Sequence, residues 1–258
     1  MQKKKSLGQH FLKSEKAIRS ILEAANLSKN DIVLEIGPGE GVLTEKLLEK
    51  AGKVIAIEKD DRLIEFLSEK FDKYIKSNSL EIVHKDALEF ESSSQGLKTQ
   101  SYKIVANLPY YITGHFIRKF LETECLPSSM TLLLQKEVAS RIVASNQKES
   151  ILSISVKAYG KPKYIETVKA GSFVPAPKVD SAILHIGEIS KNFFTEFSEK
   201  RFFETVKKGF SQKRKKLIGN LDLDASILIQ CGIEEKVRAE DLSVEEWRCL
   251  LLQIGNSC

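Results

Sequence analysis

The sequence is poor in cysteine: four residues in 258, at Cys125, Cys231, Cys249 and Cys258, with no C-x-x-C pair. Its four histidines, at 10, 84, 115 and 185, complete no zinc-binding spacing with them. No metal site is expected, and the thiols are expected to be free, as in a reducing compartment. Nor is there any run approaching the ~18 apolar residues of a membrane helix. Residues 1–5 are basic, but Gln9-His10 cuts the apolar stretch that follows, which argues against a secretory leader. Apolar residues make up 42% of the chain and charged residues 29%, with both signs mixed. That balance excludes a disordered chain, and the expectation is a soluble globular protein, cytoplasmic and monomeric. The length suffices for one large domain and one small one.

Positive charge is in modest excess, and its location says more than its total of +5. Residues 1–19 carry +5 and residues 191–219 carry +6, which leaves −6 for the rest. An acidic body flanked by two basic segments reads either as two solvated faces or as a protein that grips a polyanion at both places.

Residues 31–41 organise the chain. Positions 32–36 form a short apolar run rich in β-branched residues, the pattern of a buried parallel strand. Gly37, Gly39 and Gly41 follow, and from Val42 the pattern becomes helical. Strand, glycine turn and helix together make the first crossover of a nucleotide-binding α/β unit. The third glycine of a dinucleotide fingerprint would fall at position 42, which is Val42, and the turn has no basic helper for a pyrophosphate. S-adenosylmethionine carries an adenosine without a phosphate, and a G-x-G-x-G turn suffices for it.

Polar groups then recur at strand ends. Glu58 closes the run 54–57, about 20 residues beyond the first glycine, where an acid can accept both ribose hydroxyls. Asp86 follows the strand 81–84, where a carboxylate could take an exocyclic adenine amine. A fourth strand, 102–106, runs into Asn107, Leu108, Pro109 and Tyr110. Ligands of open α/β sheets bind beyond the carboxyl ends of the strands.

These motifs carry a resemblance. Glu-Ile-Gly-Pro-Gly after the first strand and Asn-Leu-Pro-Tyr after the fourth are similar to methyltransferases that modify the exocyclic amine of adenine. Gly8-Gln9-His10-Phe11-Leu12, the stretch 173–181, the basic stretch 209–216 and the stretch 238–243 narrow it, nearly end to end, to the bacterial small-subunit ribosomal RNA adenine dimethyltransferases. The resemblance implies a Rossmann-like S-adenosylmethionine methyltransferase sheet with helices on both faces (1–189) and a small C-terminal all-α, RNA-binding domain (190–258). It implies S-adenosylmethionine as cofactor, held by His10 and Leu12 through their backbone and by Gly37, Glu58, Asp86 and Asn107. The family often has Asn at the place of His10. The implied substrate is a hairpin near the 3′ end of 16S rRNA, within an immature small ribosomal subunit.

The chemistry explains the motif. The N6 amine of adenine is a weak nucleophile because its lone pair is delocalised into the ring. Two acceptors, the Asn107 side-chain oxygen and the Leu108 carbonyl, can each take an amine hydrogen and aim the lone pair at the sulfonium methyl. Pro109 stiffens the turn and removes a competing donor. Tyr110 offers a face for a flipped base, worth roughly 1–3 kcal/mol. Orienting two reactants supplies ~7–11 kcal/mol. Positioning therefore outweighs either contact, and no strong general base is needed.

The remaining chain gives coarser signals. A helix from Ser14 has Ala17, Ile18, Ile21, Leu22 and Ala25 on one face. Residues 91–101 read as a polar surface loop, and a helix capped by Thr113 follows the Asn107 turn. Residues 151–159 fit strand or helix, with the resemblance favouring helix. Positions 164–168 and 181–186 read as an antiparallel pair. Between them 173–178 is a rigid loop on which Phe173 is either a core plug or an aromatic wall for the base. Beyond 190 the phenylalanines recur at helical spacing and read as core, and 209–216 reads as a basic helix. Two other functions share parts of this pattern. One is a 23S rRNA adenine dimethyltransferase of the antibiotic-resistance type, against which the basic 209–216 and 238–243 stretches weigh. The other is a non-catalytic nucleic-acid-binding relative, in which the cofactor residues could be lost.

Overall fold

The computed structural model describes residues 10–256. Gly8, Gln9, the basic residues 1–5 and Cys258 lie outside the described residues. Among the described residues nine strands form: β1 (Phe11–Leu12), β2 (Ile32–Ile36), β3 (Lys53–Glu58), β4 (Leu80–His84), β5 (Tyr102–Asn107), β6 (Ser129–Gln135), β7 (Lys161–Val168), β8 (Phe173–Val174) and β9 (Ser181–Gly187). Seven of them make one sheet in the order β4-β3-β2-β5-β6-β9-β7. The first five strands of that order are parallel, while β9 is antiparallel to β6 and β7.

By contacts the chain divides into two compact units, Met1–Ala139 with Lys161–Ile189, and Ser140–Gly160 with Ser190–Cys258. The sequence places a single boundary, at residue 190, whereas these units are each made of two segments. The difference is Ser140–Gly160, which groups with the C-terminal residues because Ile154 and Ala158 pack into their core.

In the first unit the apolar runs behave as their composition dictates. Val33, Leu34, Val54, Ile55, Ile104 and Val105 are at most 1% exposed, each worth about 1.5–3 kcal/mol of burial. One polar side chain in β2 shares that environment: Glu35, also 1% exposed. The helix Glu15–Ala25 starts at Ser14, whose hydroxyl accepts from the Ala17 amide, and buries Ala17, Ile18, Ile21 and Ala25. From β2 the chain passes to β3 and β4 on one side and later to β5 and β6 on the other. The strand order thus reverses between β2 and β5, and the crevice at such a switch point is where ligands bind.

Three local expectations change. Thr113 does not cap its helix: it is the first residue of Thr113–Glu122, and its hydroxyl donates to the Tyr110 carbonyl at 3.2 Å. The stretch 91–101 is not all surface, because Leu97 and Ser92 are buried and the Ser92 and Tyr102 hydroxyls meet at 2.9 Å. The loop after residue 172 begins as a strand, with Phe173 opposite Leu12 and Val174 opposite Phe11. Two-residue strands have no period to read, so only the pairing reveals them. The Val174–Pro175 peptide is cis.

The second unit is helical, with Ile151–Tyr159, Glu199–Gly209, Leu217–Leu221, Ala225–Gln230 and Val244–Asn256. Phe202, Val206, Leu228, Leu242 and Trp247 are at most 1% exposed, and Phe193, Phe194 and Phe203 pack against this core. The helix Glu199–Gly209 stops where the Trp247 ring stands 2.4 Å from the place a Gly209 Cβ would take. Residues 211–216 continue as an exposed, non-helical turn, pinned by the Asn220 amide, which donates to the carbonyls of Gly209 and Gln212. The basic stretch is therefore a loop, not the expected helix.

The thiols also need correction. Cys231 and Cys249 are joined in a disulfide, with Cα atoms 5.8 Å apart, and Cys125 is a free thiol. Cys231 follows one helix and Cys249 lies within another, 18 residues on. Their approach is set by how the two helices pack, which the linear spacing does not encode. Among the described residues no helix is long and apolar enough to cross a membrane.

Candidate active site

The carboxyl ends of β2, β3 and β5, with the turn after β4, line a cleft that is open to solvent. All ten residues singled out by the sequence line it: His10, Leu12, Gly37, Glu58 and Asp86, together with Asn107, Leu108, Pro109, Tyr110 and Phe173. Ile36 stands opposite Ala106 in the ladder, so Gly37 and Asn107 leave the sheet side by side at the switch point.

Two glycines of the turn have separate reasons. Gly37 has φ +67°, and a Cβ there would lie 3.6 Å from the Asn107 carbonyl, on the cleft wall. Gly39 has φ +59°, and its missing Cβ is filled by the Phe11 ring, whose Cδ1 would be 2.7 Å away. The turn's tightness thus depends partly on an aromatic residue from β1.

The acids are held differently. Glu58 is 7% exposed, and its Oε1 accepts from the amides of Lys59 at 2.9 Å and Asp60 at 3.0 Å. Burial pushes its carboxyl upward in spite of those amides. Asp60 beside it caps the next helix and is paired with Arg62. Burial also opposes ionisation of Asp86, but the Leu88 amide and Lys59 outweigh it and hold this carboxyl below its ordinary range. Lys59 Nζ lies 3.2 Å from Asp86 Oδ2 and 3.4 Å from the Tyr111 hydroxyl.

At the β5 end, Asn107 donates from Nδ2 to the His10 carbonyl at 3.0 Å. That bond turns the amide so that its oxygen remains for an incoming donor. The Leu108 amide is taken by the Leu133 carbonyl at 3.0 Å. The Tyr110 hydroxyl meets Ser181 Oγ at 2.7 Å, and burial raises its phenol above the usual value. Phe173 is 3% exposed and belongs to the core cluster as well as to the cleft wall. Its two readings, plug and wall, are thus not exclusive.

A strand-end series of acids, a glycine turn and an Asn-Leu-Pro-Tyr corner share one cleft. The chain matches the family described as ribosomal RNA adenine dimethylase over residues 1–254. The chain belongs to this family. It is 43% identical to ribosomal RNA small subunit methyltransferase A of Dehalococcoides mccartyi (strain BAV1), over 99% of this chain and 90% of that protein. Its fold matches a dimethyladenosine transferase from Plasmodium falciparum with a TM-score of 0.83 and 28% identity, over 96% of this chain and 98% of that one. It also matches the 23S rRNA methyltransferase ErmE with a TM-score of 0.80 and 26% identity, over 95% and 99%.

Three cleft residues of this dimethylase escaped the sequence reading: Lys59, Tyr111 and Glu35. The signal for Glu35 was a lone carboxylate within an apolar run. Neither of its oxygens has a hydrogen-bond partner, nor has the Thr44 hydroxyl. Burial, with the Glu58 charge adding to it, pushes Glu35 up to about 8; the nearby Thr44 hydroxyl pulls the other way without a bond of normal geometry. Glu35 is therefore neutral in the folded protein over a range where an unfolded carboxyl has lost its proton. Between an ordinary value of 4.5 and about 8, stability falls as pH rises, by up to about 1.4 kcal/mol per unit. Glu35→Gln abolishes that component, so thermal melts of the two proteins should diverge from pH 5 to pH 8, with the variant the more stable. Parallel curves would show that Glu35 ionises normally.

Proposed function

We propose that this dimethylase transfers methyl groups from S-adenosylmethionine to the N6 amines of two adjacent adenosines in a hairpin near the 3′ end of 16S rRNA. The substrate on this reading is an immature small ribosomal subunit, met by a monomeric, cytoplasmic enzyme. The observation that carries the reading is the single cleft, at the switch point of the sheet, that holds the strand-end acids together with Asn107 and Tyr110. Identity weighs between two targets of the family: 43% to the small-subunit methyltransferase against 26% to the 23S enzyme.

The cleft fits the cofactor by the chemistry of its donors. Glu58 and Asp86 offer carboxylate oxygens for ribose hydroxyls and for the adenine amine, and Gly37 presents backbone without a Cβ. The glycine turn itself, residues 37–41, carries no basic side chain, which suits a ligand without phosphate. His10 and Leu12 would add backbone. When bound, S-adenosylmethionine supplies an electrophilic methyl group on a sulfonium.

The protein's own residues do the rest. The Asn107 oxygen and the Leu108 carbonyl each accept one hydrogen of the adenine amine, which orients its lone pair. Pro109 fixes the turn between those acceptors and Tyr110, whose ring takes the base by stacking. Phe173 closes the apolar side. A weak base suffices for the proton that leaves the methylated amine, because its acidity rises sharply once nitrogen carries positive charge.

RNA is held, on this reading, by the helical unit and the basic N-terminal stretch. Lys213, Arg214, Lys215 and Lys216 are all exposed on the turn after the Glu199–Gly209 helix. Removing one cation that meets a phosphate should lower the salt slope by ~0.7–0.9 without changing which adenine is selected. Charge reversal at Lys213, Arg214 and Lys216 should weaken binding to the particle and leave cofactor affinity as it was. Normal binding across a salt titration would reduce this turn to a solvated face. The function itself is tested by offering the protein labelled S-adenosylmethionine and a mixture of small and large subunits that lack the modification. Label in the small subunit supports the proposal; label in the large one favours the 23S alternative; none at all favours a non-catalytic binder.

A further inference from the structure

Asn107 and Tyr110, on which the proposed reaction depends, are both in contact with one other residue. Asn107 reaches it through the backbone, donating to the carbonyl of His10. Tyr110 reaches it through the side chain: the His10 and Tyr110 rings are stacked, with centroids 5.9 Å apart and planes 25° from parallel. The imidazole is itself anchored, since its Nδ1–H donates to the Pro175 carbonyl at 2.7 Å. Pro175 follows β8, and His10 precedes β1, so both ends of the anchor flank the paired ribbon Phe11–Leu12 and Phe173–Val174.

A tyrosine on a short 3-10 turn has two ways to wander. Its hydroxyl can swing, and its ring can rock about the axis that ends at the oxygen. Ser181 removes the first: its Oγ lies 2.7 Å from the Tyr110 hydroxyl, and it is fully buried, at the start of a strand bonded on both sides. The second is opposed only by something against the ring face, and the His10 imidazole occupies that place. The base needs Tyr110 at a fixed tilt, because the stacked base must present its amine to Asn107 and Leu108 within the narrow tolerance of methyl transfer.

We propose that the His10 side chain is a positioning residue: it backs the Tyr110 ring, while its carbonyl orients the Asn107 amide, so that one residue aligns both halves of the amine-binding corner. The inference rests on the methyl-transfer reading above. His10 does not touch the reacting atoms; it acts through Tyr110.

Three substitutions in the full chain separate ring, hydrogen bond and bulk. His10→Ala removes both functions, His10→Phe keeps a flat ring without the donor, and His10→Asn keeps a donor without the ring. At saturating particle and cofactor, His10→Ala should lower the single-turnover rate about tenfold while the cofactor Kd stays within about twofold, because the backbone carbonyl remains. His10→Phe should recover most of the rate, and His10→Asn should stay with His10→Ala. An unchanged rate in His10→Ala would overturn the proposal. So would rescue by Asn and not by Phe, which would assign the effect to the Pro175 anchor. A loss of cofactor affinity as large as the loss of rate would make the role merely structural, and would overturn it too. If the wild-type protein methylates no ribosomal particle, the functional reading fails by itself, and the ring contact is judged by NMR. Tyr110→Ala should then move the His10 ring protons downfield as the ring current is lost; unmoved resonances would contradict the stacking.

Discussion

Replacing Asn107 by Ala should lower the single-turnover methylation rate by ~10²–10³, comparable with removal of one preorganised polar group from an active site, while cofactor binding stays largely intact. The physical reason is the amide's fixed orientation. Its nitrogen is committed to the His10 carbonyl at 3.0 Å, so its oxygen is aimed before the base arrives and no reorganisation is needed when the amine attacks. Alanine removes the acceptor and leaves the His10 carbonyl without its donor. A near-normal rate in the variant would show that Asn107 only shapes the turn. Tyr110→Phe is the internal contrast: it loses the bond to Ser181 but keeps the stacking face, and its effect should be mild.

The second large effect is on the cofactor. Glu58→Ala should weaken S-adenosylmethionine binding by roughly 1.5–3 kcal/mol, the scale of hydrogen bonds to a charged group, or about 10- to 150-fold in Kd. In the folded protein the Lys59 and Asp60 amides hold one carboxylate oxygen in place. Alanine therefore strips the ribose hydroxyls of their acceptor and takes this carboxylate away from those two amides. Because the second loss also touches stability, thermal melts should accompany the calorimetry. Glu58→Gln, which keeps an oxygen, should fall between wild type and Glu58→Ala. Unchanged affinity in Glu58→Ala would remove this residue from the cofactor site.

The sequence made the parallel part of the sheet legible because its strands were compact apolar runs, followed by the glycine turn after β2 and ending in a polar residue in the others. Glu58, Asp86 and Asn107 could be read as one series because their spacing follows the α/β crossover, and the fold places them at a single cleft. What escaped depended on contacts between distant segments. The pairing of Phe11–Leu12 with Phe173–Val174 spans 161–163 positions, and strands of two residues carry no alternation. The Phe11 ring against Gly39 and the His10 ring against Tyr110 follow from that pairing. Glu35 looked like part of a motif, and its burial without a partner emerges only from the packed sheet. The basic turn after Gly209 was misread as helix because lysine and arginine favour helices, whereas the stop comes from the Trp247 ring and the Asn220 amide. The Cys231–Cys249 bond was hidden for a similar reason, since it joins residues brought together by two separate helices.

The central claim is that this cleft dimethylates the N6 amines of neighbouring adenosines in the small subunit. Its most direct test is to incubate the purified protein with labelled S-adenosylmethionine and small subunits that lack the modification, then to digest the RNA and sequence the labelled fragment by mass spectrometry. The expected products are two adjacent N6,N6-dimethyladenosines in a hairpin near the 3′ end of 16S rRNA, and neither of them with the Asn107→Ala variant over the same time. Label on a ring nitrogen, on a ribose or on any other RNA would contradict it.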